Sequence, residues 1–216
     1  AYVNYEQSFL EKAKSNAKSV LNKDPFNLGI SDKEDAGISI GIGGTPYRLD
    51  SSSSCGELGF TTQMFWDYYE FTKDEEILCD IVYPLLYEGA QFITKTVAYD
   101  DSEDAYLSVY SYSPEQRNPD NSFYYTVGTA YDQSFAYLNN KHLLDAAEIL
   151  GIEDDELLTE VRRQLDKYDA ILVGYSGQVK EFREENYYGD IGEYEHRHIS
   201  QLVGLFPGEF INATTP

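Results

Sequence analysis

Two short stretches hold the residues best suited to chemistry. They are Ser111-Tyr112-Ser113-Pro114-Glu115 and His196-Arg197-His198-Ile199-Ser200-Gln201, the second continuing to Gly204-Leu205-Phe206-Pro207-Gly208. In the first, Pro114 restricts Ser113 to extended geometry, so the Glu115 carboxyl is presented from a stiff loop. The second concentrates two of the chain's three histidines and an arginine within three residues. Acid, imidazole and guanidinium together suit protonation of a leaving oxygen while a polyol or an anion is gripped. Tyr110, Tyr112, Tyr124 and Tyr125 are placed to withdraw Glu115 from water, as a general acid requires.

The second stretch predicts a helix beginning near His198, whose positive end would join Arg197 in favouring an oxygen-rich ligand. Metal binding is the weaker reading, because residues 196 and 198 do not share a helix face and no other Cys or His supplies obvious ligands. No serine sits in a nucleophile elbow. A third patch, Gly177-Gln178-Val179-Lys180-Glu181-Phe182, offers the Gln178 amide and the Glu181 carboxylate to sugar hydroxyls. Glu184 and Glu185 beyond it read as a solvated acidic stretch.

Composition narrows the partners. A formal charge of −22 opposes binding to nucleic acid, which requires Lys and Arg to displace counterions. It equally opposes an anionic membrane surface. A neutral or cationic ligand fits better, and the 20 tyrosines combine apolar faces with hydroxyl tips as carbohydrate sites do. Cys55 and Cys79 form either one bridge or two unpaired thiols. No stretch approaches the ~20 apolar residues of a membrane span. The chain opens on Ala1-Tyr2-Val3-Asn4 without a basic region and apolar run, so no signal peptide is expected in it.

The elements that must position these residues read as helices. Apolar residues recur at helical spacing over 5–22, then residues 23–56 are glycine-, proline- and serine-rich, an irregular connection of the kind that carries function. Gly41-Ile42-Gly43-Gly44 within it lacks the features of a phosphate loop. Further helices are expected at 61–71, at 75–97 with a kink or break at Pro84, at 129–150 ended by Gly151, and at 154–167. Residues 100–128 read as irregular, with a brief pairing possible at 106–110. Paired helices joined by alternating long and short links imply an all-α array or (α/α)6 toroid with its long loops on one rim.

Taken in order, these stretches resemble the catalytic domain of glycoside hydrolase family 95, the α-1,2-L-fucosidases with some L-galactosidase relatives. The resemblance is carried by Ala1-Tyr2-Val3, by Phe65-Trp66-Asp67-Tyr68-Tyr69-Glu70-Phe71-Thr72 and by Val82-Tyr83-Pro84-Leu85-Leu86. It continues through Tyr112-Ser113-Pro114-Glu115, Gly128-Thr129-Ala130-Tyr131-Asp132-Gln133-Ser134 and Ala146-Ala147-Glu148-Ile149-Leu150-Gly151. It ends with Gly177-Gln178-Val179-Lys180-Glu181 and residues 196–208. The resemblance implies an (α/α)6 barrel and an inverting mechanism, with Glu115 as general acid and Arg197 and His198 holding the terminal sugar.

In the family the attacking water is activated by asparagine amides supported by an aspartate. Those residues match positions before Ala1 and beyond the Gly208 region. Residues 1–216 are therefore expected to form a single partial (α/α)6 domain of about six helices, truncated at both ends, with the rest of the barrel coming from the same polypeptide. The expected substrate is an oligosaccharide or glycan with a terminal α-L-fucosyl group, met at or outside the cell surface, and no cofactor or metal is expected. Two other readings stay open: a non-catalytic carbohydrate-binding remnant, and an acidic helical module that binds a protein partner. The chain departs from the family at Cys55-Gly56-Glu57-Leu58-Gly59-Phe60, where relatives carry tryptophans, at Phe182 and at Gln201.

Overall fold

A computed structural model describes residues 10–24, 27–40, 55–168, 172–184 and 196–215. Gly41-Ile42-Gly43-Gly44 and Glu185 lie outside the described residues, as does the start of the first expected helix. Helix α1 covers Leu10–Lys23 and buries Ala13, Ala17, Val20 and Leu21, its spacing being the one read from the sequence. Helix α2 spans Cys55–Thr72, beginning six residues before the expected 61–71. Gly56 and Gly59 hide that start from a propensity reading, since glycine disfavours helix interiors. Tertiary contact overrides the propensity: a Cβ at Gly59 would lie 2.3 Å from the Phe135 carbonyl oxygen.

Asp74 caps the next helical run by accepting hydrogen bonds from the Glu76 and Ile77 amides. The run comprises α3 at Glu75–Ile77, a π turn at Leu78–Val82, and α4 at Tyr83–Lys95. Pro84 was expected to kink or break a helix over 75–97. The α-helix is indeed interrupted there: a wide turn ends at Val82, and Pro84 falls in the first turn of α4, where its missing N–H costs little. Strands β1, Val97–Asp100, and β2, Ala105–Ser108, follow as an antiparallel hairpin with Val97 opposite Ser108 and Asp100 opposite Ala105.

Helix α5, Ala130–Leu150, is capped by the Thr129 side chain and stopped by Gly151 at φ 69°, a left-handed residue as the sequence implied. Helix α6, Glu156–Leu165, is capped by Asp155, which also accepts from the Tyr87 hydroxyl at 3.0 Å. The helix expected near His198 is not formed. A single 3₁₀ turn covers Ser200–Leu202. Gly204, Pro207 and Gly208 follow closely, and the backbone turns back on itself through Gly208 N–H to Val203 O at 2.8 Å and Ile211 N–H to Gly204 O at 2.9 Å. These residues are poor helix formers. The positive helix end expected at the His-Arg-His stretch is therefore absent.

The described residues are mostly helical, in keeping with an all-α segment to which one hairpin is added. Helices α2 and α5 form the principal pair, α4 packs on α5, and α6 lies against α4 and α5. Trp66 of α2 stacks on His142 of α5, ring centroids 4.5 Å apart and planes 7° from parallel. Both cysteines are free, Cys55 buried and Cys79 exposed, so the bridge alternative falls. No helix is long and apolar enough to cross a membrane among the described residues.

Candidate active site

The loop between β2 and α5 is less irregular than its composition implied. Ser111 and Thr126 exchange backbone hydrogen bonds of 2.8 and 2.7 Å, and Arg117 bridges to Phe123, so residues 111–126 form a closed arm that turns at 118–122, with Glu115 midway along its first limb. The base of the arm is held by Asp132, fully buried in the first turn of α5. Its carboxylate accepts from Ser111 Oγ at 2.6 Å, the Tyr112 amide at 3.3 Å and the Gly56 amide at 2.9 Å. One carboxylate thus ties together the starts of α2 and α5 and the loop that carries Glu115.

A second buried carboxylate fixes the limb that carries Glu115. Glu181 is 4% exposed and accepts from Ser113 Oγ and from Gln116 Nε2. Burial raises its pKa, and the hydrogen bonds from Ser113 and Gln116 and the nearby His196 and His198 offset part of that rise. Its own carbonyl accepts from the Ala130 amide at 3.0 Å, anchoring the segment to the start of α5. Glu181 braces the residues on either side of Pro114-Glu115 and is absent from the cavity wall. Gln178 lies on an exposed turn closed by the Val173–Val179 bridge, away from that cavity.

The two stretches singled out first meet in space. Arg197 Nη2 donates to Glu115 Oε2 as an ion pair, and Ser200 Oγ donates to the Pro114 carbonyl at 3.1 Å. His198 lines the same cavity as Glu115. His196 and His198 lie with ring centroids 5.2 Å apart, the His198 amide donating to His196 Nδ1 at 3.2 Å. Glu115 is not withdrawn from water as expected, since its side chain is 46% exposed. The tyrosines explain why: Tyr110 stacks on Tyr125 at 4.3 Å and Tyr124 meets Phe182 edge-on, so only Tyr112 of the four lines the cavity.

The cavity holds about 440 Å³, inside the range of ~300–1,000 Å³ usual for small-molecule sites. Its wall is aromatic, with Phe60, Phe123, Tyr131 and Phe135, and Phe206 and Pro207 border it. Glu57 also lines it, accepting a hydrogen bond from the Tyr112 hydroxyl at 2.7 Å. The sequence reading missed Glu57, Asp132 and Tyr131 as site residues. Asp132 had a signal, an acidic residue three positions past the capping Thr129. Glu57 had only the departure of its stretch from the family pattern. Among the described residues no group of three or more His, Cys, Asp or Glu gathers in metal-binding geometry.

An acid and a guanidinium at the rim of an aromatic cavity can protonate an oxygen and orient hydroxyls. Comparison with known proteins agrees with that chemistry. Residues 44–216 match the family model described as the glycosyl hydrolase family 95 catalytic domain. "Alpha-L-fucosidase 2" of Arabidopsis thaliana is 27% identical over 154 residues, 68% of this chain and 17% of that protein. "Probable alpha-fucosidase A" of Aspergillus oryzae is 32% identical over 126 residues, 57% of this chain and 17% of that protein. The Aspergillus niger protein of the same name is 25% identical over 150 residues, 68% of this chain and 18% of that protein. The chain spans less than a fifth of the length of these relatives. With the family model covering most of its residues, the chain belongs to the glycosyl hydrolase family 95 catalytic domain.

Proposed function

We propose that the protein carrying this segment hydrolyses terminal α-L-fucosyl groups, α-1,2-linked in oligosaccharides or glycans, with inversion at the anomeric carbon. The observation that carries the reading is the meeting of Glu115 with Arg197 and His198 at one aromatic cavity. Glu115 gives its proton to the glycosidic oxygen as the bond from that oxygen to the anomeric carbon breaks. Water attacks the opposite ring face, and in inverting enzymes the groups serving the two faces stand ~6.5–9.5 Å apart. Water activation falls to the part of the domain beyond these 216 residues, which complete an (α/α)6 barrel around the cavity. A neutral glycan suits a surface of this negative charge, and glycans of this kind are met outside the cell.

Arg197 and Glu115 are both well exposed, and an exposed ion pair is worth only ~0–1 kcal/mol. A sugar can therefore displace it cheaply. Arg197 and His198 then turn to the sugar hydroxyls, and Glu115, released from the guanidinium, faces the glycosidic oxygen. Glu115→Gln in the full-length protein is expected to lower turnover of a fucosyl-α-1,2-galactoside by ~10²–10⁴-fold. Proton NMR of the wild-type reaction should show β-L-fucose as the first product anomer. A near-normal rate in the variant would falsify the assignment of the acid.

A further inference from the structure

Glu57 stands apart from the residues already given roles. It belongs to the first turn of α2 and is 6% exposed, yet it lines the same cavity whose rim carries Glu115 and His198. Burying a carboxylate among Phe60, Phe123 and Phe135 is unfavourable unless hydrogen bonds hold the charge. Here one does. The Tyr112 hydroxyl donates to Glu57 Oε1 at 2.7 Å, and the Tyr131 phenol is close enough to feel the Glu57 charge. Both phenols line the cavity, and burial together with the Glu57 charge raises their pKa values, so they keep their protons and remain donors.

Packing alone does not call for this residue. Its neighbour Leu58 fills the core completely, and Gly56 and Gly59 provide the close approach of α2 to α5. An apolar side chain at 57 would serve the aromatic wall without the desolvation cost of a charge. Where a cavity is mostly aromatic, the few polar groups in its wall orient what it binds. Depth separates the two carboxylates: Glu115 is exposed at the rim and Glu57 lies at the floor.

We propose that Glu57 is a specificity-determining residue of the site, accepting a hydrogen bond from a ring hydroxyl of the terminal sugar at the cavity floor. The proposal rests on the glycosidase reading for the identity of the sugar. The monosaccharide enters end first, its apolar face against Phe123 and Phe135, and its glycosidic oxygen remains at the rim beside Glu115. Glu57 then discriminates among sugars by the position of the hydroxyl that reaches it. Sites built to hydrogen-bond a substrate hydroxyl reject the analogue lacking it, by as much as ~10⁴-fold.

The test uses the full-length protein with Glu115→Gln as background, so that binding is read without turnover. Titration calorimetry measures L-fucose, L-galactose and the monodeoxy derivatives of L-fucose against that background and against Glu57→Gln and Glu57→Ala within it. Glu57→Gln keeps the shape and an acceptor for Tyr112, and carries the test if the alanine variant does not fold. The expected result is sugar binding weakened at least tenfold by either substitution. One deoxy derivative should bind the background poorly and lose nothing further on substitution. Equal affinities with and without Glu57, a uniform loss across every derivative, or no binding by the background would each overturn the proposal. If the binding pattern holds while the wild type hydrolyses no fucoside, the reaction reading fails and the role of Glu57 stands.

Discussion

Removing the Glu181 carboxylate would strip Ser113 and Gln116 of the acceptor they share, at ~1–3 kcal/mol for each buried group left unsatisfied. Those two residues flank Pro114-Glu115, so the effect reaches Glu115, the proposed acid, through the backbone. Glu181→Ala is therefore expected to lower kcat of the full-length protein by ~10²-fold, the scale of a misplacement of about 1 Å, with a smaller change in KM. Glu181→Gln keeps an acceptor for the Ser113 hydroxyl and should stay within several-fold of wild type. Steady-state kinetics on a fucosyl disaccharide compares the two. If glutamine is as damaging as alanine, Glu181 acts through its charge or touches the sugar. Gln178, the other residue of its patch expected at the sugar, sits on an exposed turn where its substitution should leave both parameters unchanged.

At the scale of elements, the contact of α2 with α5 holds the site, because Gly56, Glu57, Tyr131 and Asp132 all lie at its end. Trp66 and His142 are its aromatic seam. Burial pushes the His142 imidazole down to about 3 from 6.5, and Lys141 adds to the shift. Between those values the unfolded chain binds a proton that the folded chain refuses. Stability is thus complete above the ordinary imidazole range and falls as pH drops from about 6.5 towards 3, by on the order of 4 kcal/mol from this residue. Urea unfolding of the wild-type chain between pH 7 and 4 should show that loss, and His142→Leu should flatten it. Parallel pH profiles for the two proteins would rule out the buried neutral imidazole as its source.

The whole molecule sets two forces against each other. Phe60, Met64, Tyr68 and Phe71 fall on one face of α2 and are all exposed, Phe71 to 92%. Such an apolar stripe favours association. The formal charge of −22 opposes it by self-repulsion over a Debye length of ~10 Å at 0.1 M salt, shrinking to ~3 Å at 1 M. The chain produced by itself is therefore expected to associate increasingly as salt rises. Sedimentation velocity from 0.05 to 1 M NaCl checks this, and Met64→Glu with Phe71→Glu should restore a monomer throughout. Association that instead weakens with salt would mean that ionic contacts drive it.

The sequence by itself determined what short-range physics decides. Helical spacing at α1 and the Gly151 stop are local, and each appears in the fold where the residues imply. The stiff Pro114-Glu115 turn and the His-Arg-His stretch are likewise legible, because unusual residues within a few positions need no knowledge of the rest. Only the tertiary structure decided where these pieces meet. The early start of α2 depends on glycines that fit against α5, and the missing helix after His198 depends on turns closed by contacts around Val203 and Gly204. Glu57 became part of the site because α2 was extended by that start and pressed against Tyr112 and Tyr131. Hydrogen bonds between residues tens of positions apart leave no periodicity in the chain, and burial, which makes a carboxylate costly and therefore informative, exists only once the helices have packed.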